Sequence, residues 1–129
     1  MTIRILHADD NQTFRKAVKH FLDELPGVTC VGQAQDGPEA LAKAEELQPD
    51  LVLLDIAMPT MNGMEVARVI QSWEQPPYIV FLSLHDSNAY QACAHALGAL
   101  AFIGKSDFVA ELRPLIARLG LVEGLKQPQ

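Results

Sequence analysis

The run Leu51-Val52-Leu53-Leu54 passes without alternation straight into Asp55. A strand with no polar side has both faces covered, the condition of a parallel sheet flanked by helices. A carboxylate at the end of such a strand has to find water, a cation or a hydrogen-bond donor. The pattern recurs along the chain: apolar strand-like runs at 2–8, 27–34, 50–55, 78–83 and 99–104 alternate with helix-period segments. Strand–helix units joined by short connections predict an α/β fold with right-handed crossovers. Five strands rather than six favour a flavodoxin-like parallel sheet, order 2-1-3-4-5, with helices on both faces.

The helical segments carry their own punctuation. In 11–25 the apolar residues Phe14, Ala17, Val18, Phe21, Leu22 and Leu25 fall at spacings of three and four. Asp36-Gly37-Pro38-Glu39 opens the second helix with an N-cap, a first-turn proline and a glutamate three residues after the cap. A third helix is predicted from Asn62 to Trp73, stopped by Gln75-Pro76-Pro77, with Trp73 packing on the core. A fourth, 86–98, ends on Gly98 as a C-terminal cap. Its small positions Ala89, Ala92, Cys93, Ala96 and Leu97 are expected to face the sheet, leaving Tyr90 outward. The last helix spans Phe108 to Leu119, and Pro114 within it predicts a kink or a late start. This gives a domain over 1–120, with 121–129 as a polar tail or the start of a linker.

Composition excludes several classes. A net charge of −6 argues against direct nucleic-acid binding by this chain, which needs a cationic face. No apolar run approaches the roughly 20 residues of a membrane span, and "MTIRILHADD" lacks a signal-peptide pattern. Two unpatterned cysteines, Cys30 and Cys93, suit a reducing compartment without a disulfide or zinc framework. The expectation is a soluble cytoplasmic domain with no membrane partner.

In a sheet of this order the functional crevice lies beyond the carboxyl ends of the strands. Strand one ends in Asp9-Asp10, strand three in Asp55, strand four in Ser83, and strand five runs into Lys105. Three carboxylates, a hydroxyl and an ammonium therefore converge on one edge. Close carboxylates require compensating positive charge. A hard, partly hydrated divalent cation suits oxygen ligands, Mg²⁺ or Mn²⁺ rather than zinc, since no His or Cys sits among the strand ends. A metal, a free carboxylate, a lysine and a hydroxyl are the parts of phosphoryl transfer, with Asp55 as the nucleophile that becomes an acyl phosphate. His7, His20, His85 and His95 show no metal spacing; His85 lies two residues after Ser83, at the site rim.

The segments "ADD" at 8–10, "LLDIAMPTMNG" at 53–63, "LS" at 82–83 and "FIGK" at 102–105 together resemble the CheY-like receiver domain of bacterial two-component response regulators. The resemblance covers about residues 2–119. The helix start "DDNQTFRKAV", with "LSLHD" and "GKSD", resembles the NarL/LuxR-type transcriptional subfamily. It implies that Asp55 takes a phosphoryl group from a sensor histidine kinase or a histidine phosphotransfer protein. It also implies metal binding by Asp10, by Asp9 through water, by Asp55 and by the Ala57 backbone carbonyl. Ser83 and Lys105 bind the phosphoryl oxygens, and Ser83 with Phe102, where the family often has tyrosine, forms the switch. The output is a changed surface of helix 4, strand 5 and helix 5, with homodimerisation on phosphorylation a possible consequence.

Departures from the family pattern add expectations. Ser106 follows Lys105 where many members have a proline after a cis bond, so this bond is either strained or trans. Ala57 offers no side chain to orient water, and the bulky Leu84 narrows access to Asp55; both suggest a long-lived phosphoryl group. A receiver of this kind catalyses only its own phosphorylation and dephosphorylation. Rival readings are an aspartate-nucleophile phosphatase, which lacks its second acid at Ala57, and a flavin module, whose phosphate Asp9 and Asp10 would repel. A single-domain phosphorelay receiver, or an interaction module independent of phosphorylation, also stands. The subfamily flavour favours the N-terminal part of a transcriptional regulator.

Overall fold

The computed structural model describes residues 2–84 and 88–126, with side chains described as far as residue 120. The chain forms β1 (Ile3–Ala8), α1 (Gln12–Asp23), β2 (Val28–Ala34), α2 (Gly37–Leu47), β3 (Leu51–Asp55) and α3 (Gly63–Gln71). It continues through β4 (Tyr78–Ser83), α4 (Asn88–Ala96), β5 (Ala101–Gly104), a 3₁₀ turn at Lys105–Asp107 and α5 (Phe108–Lys126). The strands pair in parallel in the order β2-β1-β3-β4-β5, as expected.

All of β3 is buried because each of its faces meets a separate core. Val52, Leu54 and Phe81 pack with Ala40 and Ala44 of α2, Val66 and Ile70 of α3 and Ala94 of α4. Leu51, Leu53, Val80 and Leu82 pack with Val18, Phe21 and Leu22 of α1 and Leu112, Leu115, Ile116 and Leu119 of α5. Asp36 caps α2 through the Glu39 backbone N–H at 2.8 Å, while the Glu39 carboxylate accepts from the Gln35 N–H at 2.7 Å. Trp73 packs against the first core. Among the described residues no helix is long and apolar enough to cross a membrane.

Three local expectations need correction. Ala89, Ala92 and Ala96 of α4 face solvent; the contact with the sheet is made by Ala94, with Cys93 and Leu97 beside it. Small size hid the phase of that helix, since alanine suits either environment. Helix α3 ends two residues early, where the Ser72 hydroxyl donates to the Val69 carbonyl at 2.6 Å. Helix α5 starts at Phe108, as expected, so Pro114 lies inside it and does not delay its start. Pro114 and Ala110, whose carbonyl the missing N–H deprives of its i+4 partner, are both exposed, which makes a proline tolerable there. The same helix runs past Leu119 to Lys126, through 121–126 of the supposed tail, because no stop signal precedes Pro128.

Candidate functional site

Strand period places the charged residues. In β1, Ile5 belongs to the α1/α5 side and Leu6 and Ala8 to the other. Alternation therefore carries His7 and Asp9 to the α1/α5 side. The same count takes Leu51 and Leu53 to Asp55, and Ile103 to Lys105. Parallel pairing of Ala8 with Leu54 brings the ends of β1 and β3 level.

The Lys105 Nζ lies 2.6 Å from Asp9 Oδ2 and 3.5 Å from Asp55 Oδ1. Asp9 is fully buried, Asp55 is 4 % exposed and Lys105 9 %. Asp10 is exposed at the rim. Local backbone fixes the pair: Asp9 Oδ1 accepts the Asn11 N–H at 2.9 Å, and Arg15 donates to the Asp9 carbonyl at 2.6 Å. Asn11 in turn caps α1 by accepting the Phe14 N–H. Desolvation first, then the charge of Asp9, pushes the Asp55 carboxyl up to about 6, against the pull of Lys105.

Carboxylate oxygens of Asp9, Asp10 and Asp55 lie within 4.8 Å of one another. Three acids with one ammonium among them leave negative charge unbalanced, and the donor set is all oxygen. A hard divalent cation fits both facts.

The loop after β3 is held by close backbone approach. Gly63 donates its N–H to the Ile56 carbonyl at 2.8 Å, and a Cβ built there would stand 2.1 Å from the Asp55 carbonyl oxygen. Only glycine permits that contact. Thr60 takes a left-handed φ of 71°, and Met61 donates to the Pro59 carbonyl at 2.8 Å. Asn62 and Glu65 cap α3 reciprocally. Ala57 lies exposed in this loop.

Ser83 is buried at the end of β4, paired with Gly104 of β5. It lines a cleft of about 540 Å³ with Leu84, Phe102, Lys105 and Ser106. Phe102 is half-buried against the α2–α4 core, whereas Leu84 is 77 % exposed at the mouth. Asp9, Asp55 and Lys105 thus converge on one side of the sheet, while alternation gives Ser83 and Phe102 to the other. The Lys105–Ser106 bond is trans, like every other peptide bond described. His85 lies outside the described residues.

Three neighbours were not singled out from sequence. Phe14 lies under the Lys105 ammonium, Arg15 ties α1 to the Asp9 backbone, and His7 is fully buried with its ring 5.7 Å from that of Phe14. Burial, then the charges of Lys105 and Arg15, drives His7 down to about 3, so its ring is neutral. The available signals were the alternation of His7 with Asp9 and the place of Phe14 and Arg15 in the first turns of α1.

A family model described as the response regulator receiver domain matches residues 5–117. A protein-glutamate methylesterase/protein-glutamine glutaminase of Alkalilimnicola ehrlichii is 38% identical over 109 residues, 84% of this chain and 27% of the relative. That of Symbiobacterium thermophilum is 38% identical over 126 residues, 96% of this chain and 34% of the relative. The chain thus spans about a third of the length of these curated relatives. Among solved structures, the signal receiver domain of NarL from Mycobacterium tuberculosis superposes with a TM-score of 0.85 at 33% identity, covering 92% of this chain and 95% of that one. The response regulator domain of Thermotoga maritima CheB gives 0.84 at 32%, covering 92% and 96%.

Proposed function

The chain belongs to the response regulator receiver domains, and on that premise we propose that Asp55 is the residue it phosphorylates. The single observation that supports this is the position of Asp55. It is a buried carboxylate at the end of the central strand, within reach of a lysine and beside two further acids. Asp10, Asp9, Asp55 and the Ala57 carbonyl would hold Mg²⁺ or Mn²⁺. When bound, the ion supplies positive charge where negative charge develops on the transferring group. The chain's own residues do the rest. The Asp55 carboxylate attacks the phosphorus of a phosphohistidine, the P–N bond breaks, and the imidazole departs. Lys105 shifts from the carboxylates to the new phosphoryl oxygens, and Ser83 donates its hydroxyl to them. Phe102, sharing the Ser83 cleft, repacks with that motion and carries it to the α4, β5 and α5 surface.

In this reading the donor is a sensor histidine kinase or a histidine phosphotransfer protein, the location is cytoplasmic, and no other turnover is catalysed. The output is regulation of a methylesterase region, supported by the identity to methylesterases over most of this chain. A transcriptional output is the second reading, supported by the likeness to the NarL receiver. Dimerisation on phosphorylation belongs with that second reading.

Intact mass after incubation with acetyl phosphate and Mg²⁺ tests the phosphorylation. One added phosphoryl group is expected on the native chain, and none on Asp55→Asn or in a chelator. No gain on the native chain, with acetyl phosphate and with a phosphorylated histidine donor alike, would contradict the proposal.

A further inference from the structure

We propose that Phe14 is a positioning residue for Lys105, holding the ammonium in the site through the face of its ring. The Lys105 Nζ stands 4.8 Å from the Phe14 ring centroid, inside the range of a cation–π contact. The same nitrogen meets Asp9 at 2.6 Å and Asp55 at 3.5 Å. The ammonium is therefore held by carboxylates and by the electron-rich face of an aromatic ring. With Lys105 only 9 % exposed, little solvent screens that attraction. A lysine stem has several freely rotating bonds, so its charge stays in one place only if the surroundings fix it.

The ring is itself braced. Its neighbours meet it edge to face, His7 at 5.7 Å and 66°, and Phe108 at 5.3 Å and 76°. Phe108 is met in the same way by Phe21 at 5.5 Å and 89°. These contacts fix the plane that Phe14 presents to the ammonium. A leucine would fill much of the space and keep the apolar contacts, yet it has no ring face. That difference separates positioning of Lys105 from mere packing of α1 on the core.

The inference rests on the reading that Lys105 meets the phosphoryl group, and its test separates the two. Rates of phosphorylation by acetyl phosphate are measured for the native chain, Phe14→Leu and Phe14→Tyr, at a temperature where melting curves show all three folded. Phe14→Leu should be about five- to thirtyfold slower, the factor that a desolvated cation–π contact represents. Phe14→Tyr, which keeps the ring face, should recover most of the rate. In chelator, the Lys105 ε-methylene protons of the native chain should resonate upfield of their usual position, from the ring current, and return toward it in Phe14→Leu. Equal rates for native and Phe14→Leu, or equal slowing of Phe14→Leu and Phe14→Tyr, would overturn the role in transfer. An unshifted ε-methylene in the native chain would overturn the contact. If the native chain takes no phosphoryl group from acetyl phosphate or from a phosphorylated histidine donor, the phosphorylation reading falls, and the metal-free shift still decides whether Phe14 holds the lysine.

Discussion

Two buried groups of this site respond to protons in opposite senses over nearly the same pH window. Asp55 is raised from 3.8 to about 6 by burial and by Asp9, so the folded state binds its proton more tightly than the unfolded chain. Its contribution is present below about pH 4 and lost as the pH rises to about 6. His7 is lowered from 6.5 to about 3 by burial and by Lys105 and Arg15. Its contribution is present above about pH 6.5 and lost as the pH falls toward 3. In chelator the two oppose each other between about pH 4 and 6, and the native melting temperature should vary little there. Asp55→Asn should leave the His7 slope, with stability rising with pH through that window. His7→Leu should leave the Asp55 slope, with stability falling. Melting curves at stepped pH check both signs, and like slopes in the two variants would refute the assignment. At this scale Asp9, Asp10, Asp55, Ser83 and Lys105 were legible as residues, because strand ends can be counted in the sequence. Phe14 and His7 were not, because an aromatic at a helix-core position, and a histidine inside a strand, have ordinary explanations until the fold places them beside Lys105.

Among the elements, α3 and α4 differ sharply in how they are held. Helix α3 buries Gly63, Met64, Val66, Ala67 and Ile70, whereas α4 buries only Ala94. The end of α4 is tied down by one side chain: Gln71 Nε2 donates to the carbonyls of Leu97 at 2.8 Å and Gly98 at 3.2 Å. Amide exchange should therefore be faster throughout α4 than in α3. Gln71→Ala should accelerate it further at the C-terminal end of α4 and lower stability by about 1 kcal/mol. Gly63→Ala acts on the other end of α3. Its Cβ would meet the Asp55 carbonyl oxygen at 2.1 Å, so a loss of about 2 to 3 kcal/mol is expected in urea unfolding. Periodicity located every strand and α-helix but not the orientation of α4, where alanines on all sides erase the amphipathic signal. Nor did it locate the end of α5, where the polar residues after Leu119 read as a tail and the backbone continued to Lys126.

For the whole molecule, layering followed from the unalternated β3 run, which needs cover on both faces, and strand order from five strand–helix units rather than six. The output was less legible. The NarL/LuxR flavour read from short motifs has support in the NarL receiver structure, while identity over most of the chain also runs to methylesterases. Receivers serving either output need the same sheet and the same strand ends, so fold physics does not separate them. A cation held by the three acids would, in contrast, act on the whole fold. The three acids lie on segments distant in sequence, so an ion that binds only the folded state stabilises all of it. Mg²⁺ at about a hundred times its dissociation constant should add about 2.7 kcal/mol. That rise in melting temperature should be smaller in Asp10→Asn and Asp55→Asn.

Chemical trapping shows which aspartate carries the phosphoryl group proposed for Asp55. Borohydride reduces an aspartyl phosphate to homoserine, which peptide mass mapping locates in the chain. After incubation with acetyl phosphate and Mg²⁺, homoserine at position 55, and at no other aspartate, is the predicted result. Homoserine at position 9 or 10 with Asp55 unchanged, or no homoserine in a chain whose intact mass shows a phosphoryl group, would rule out Asp55 as the phosphoryl acceptor.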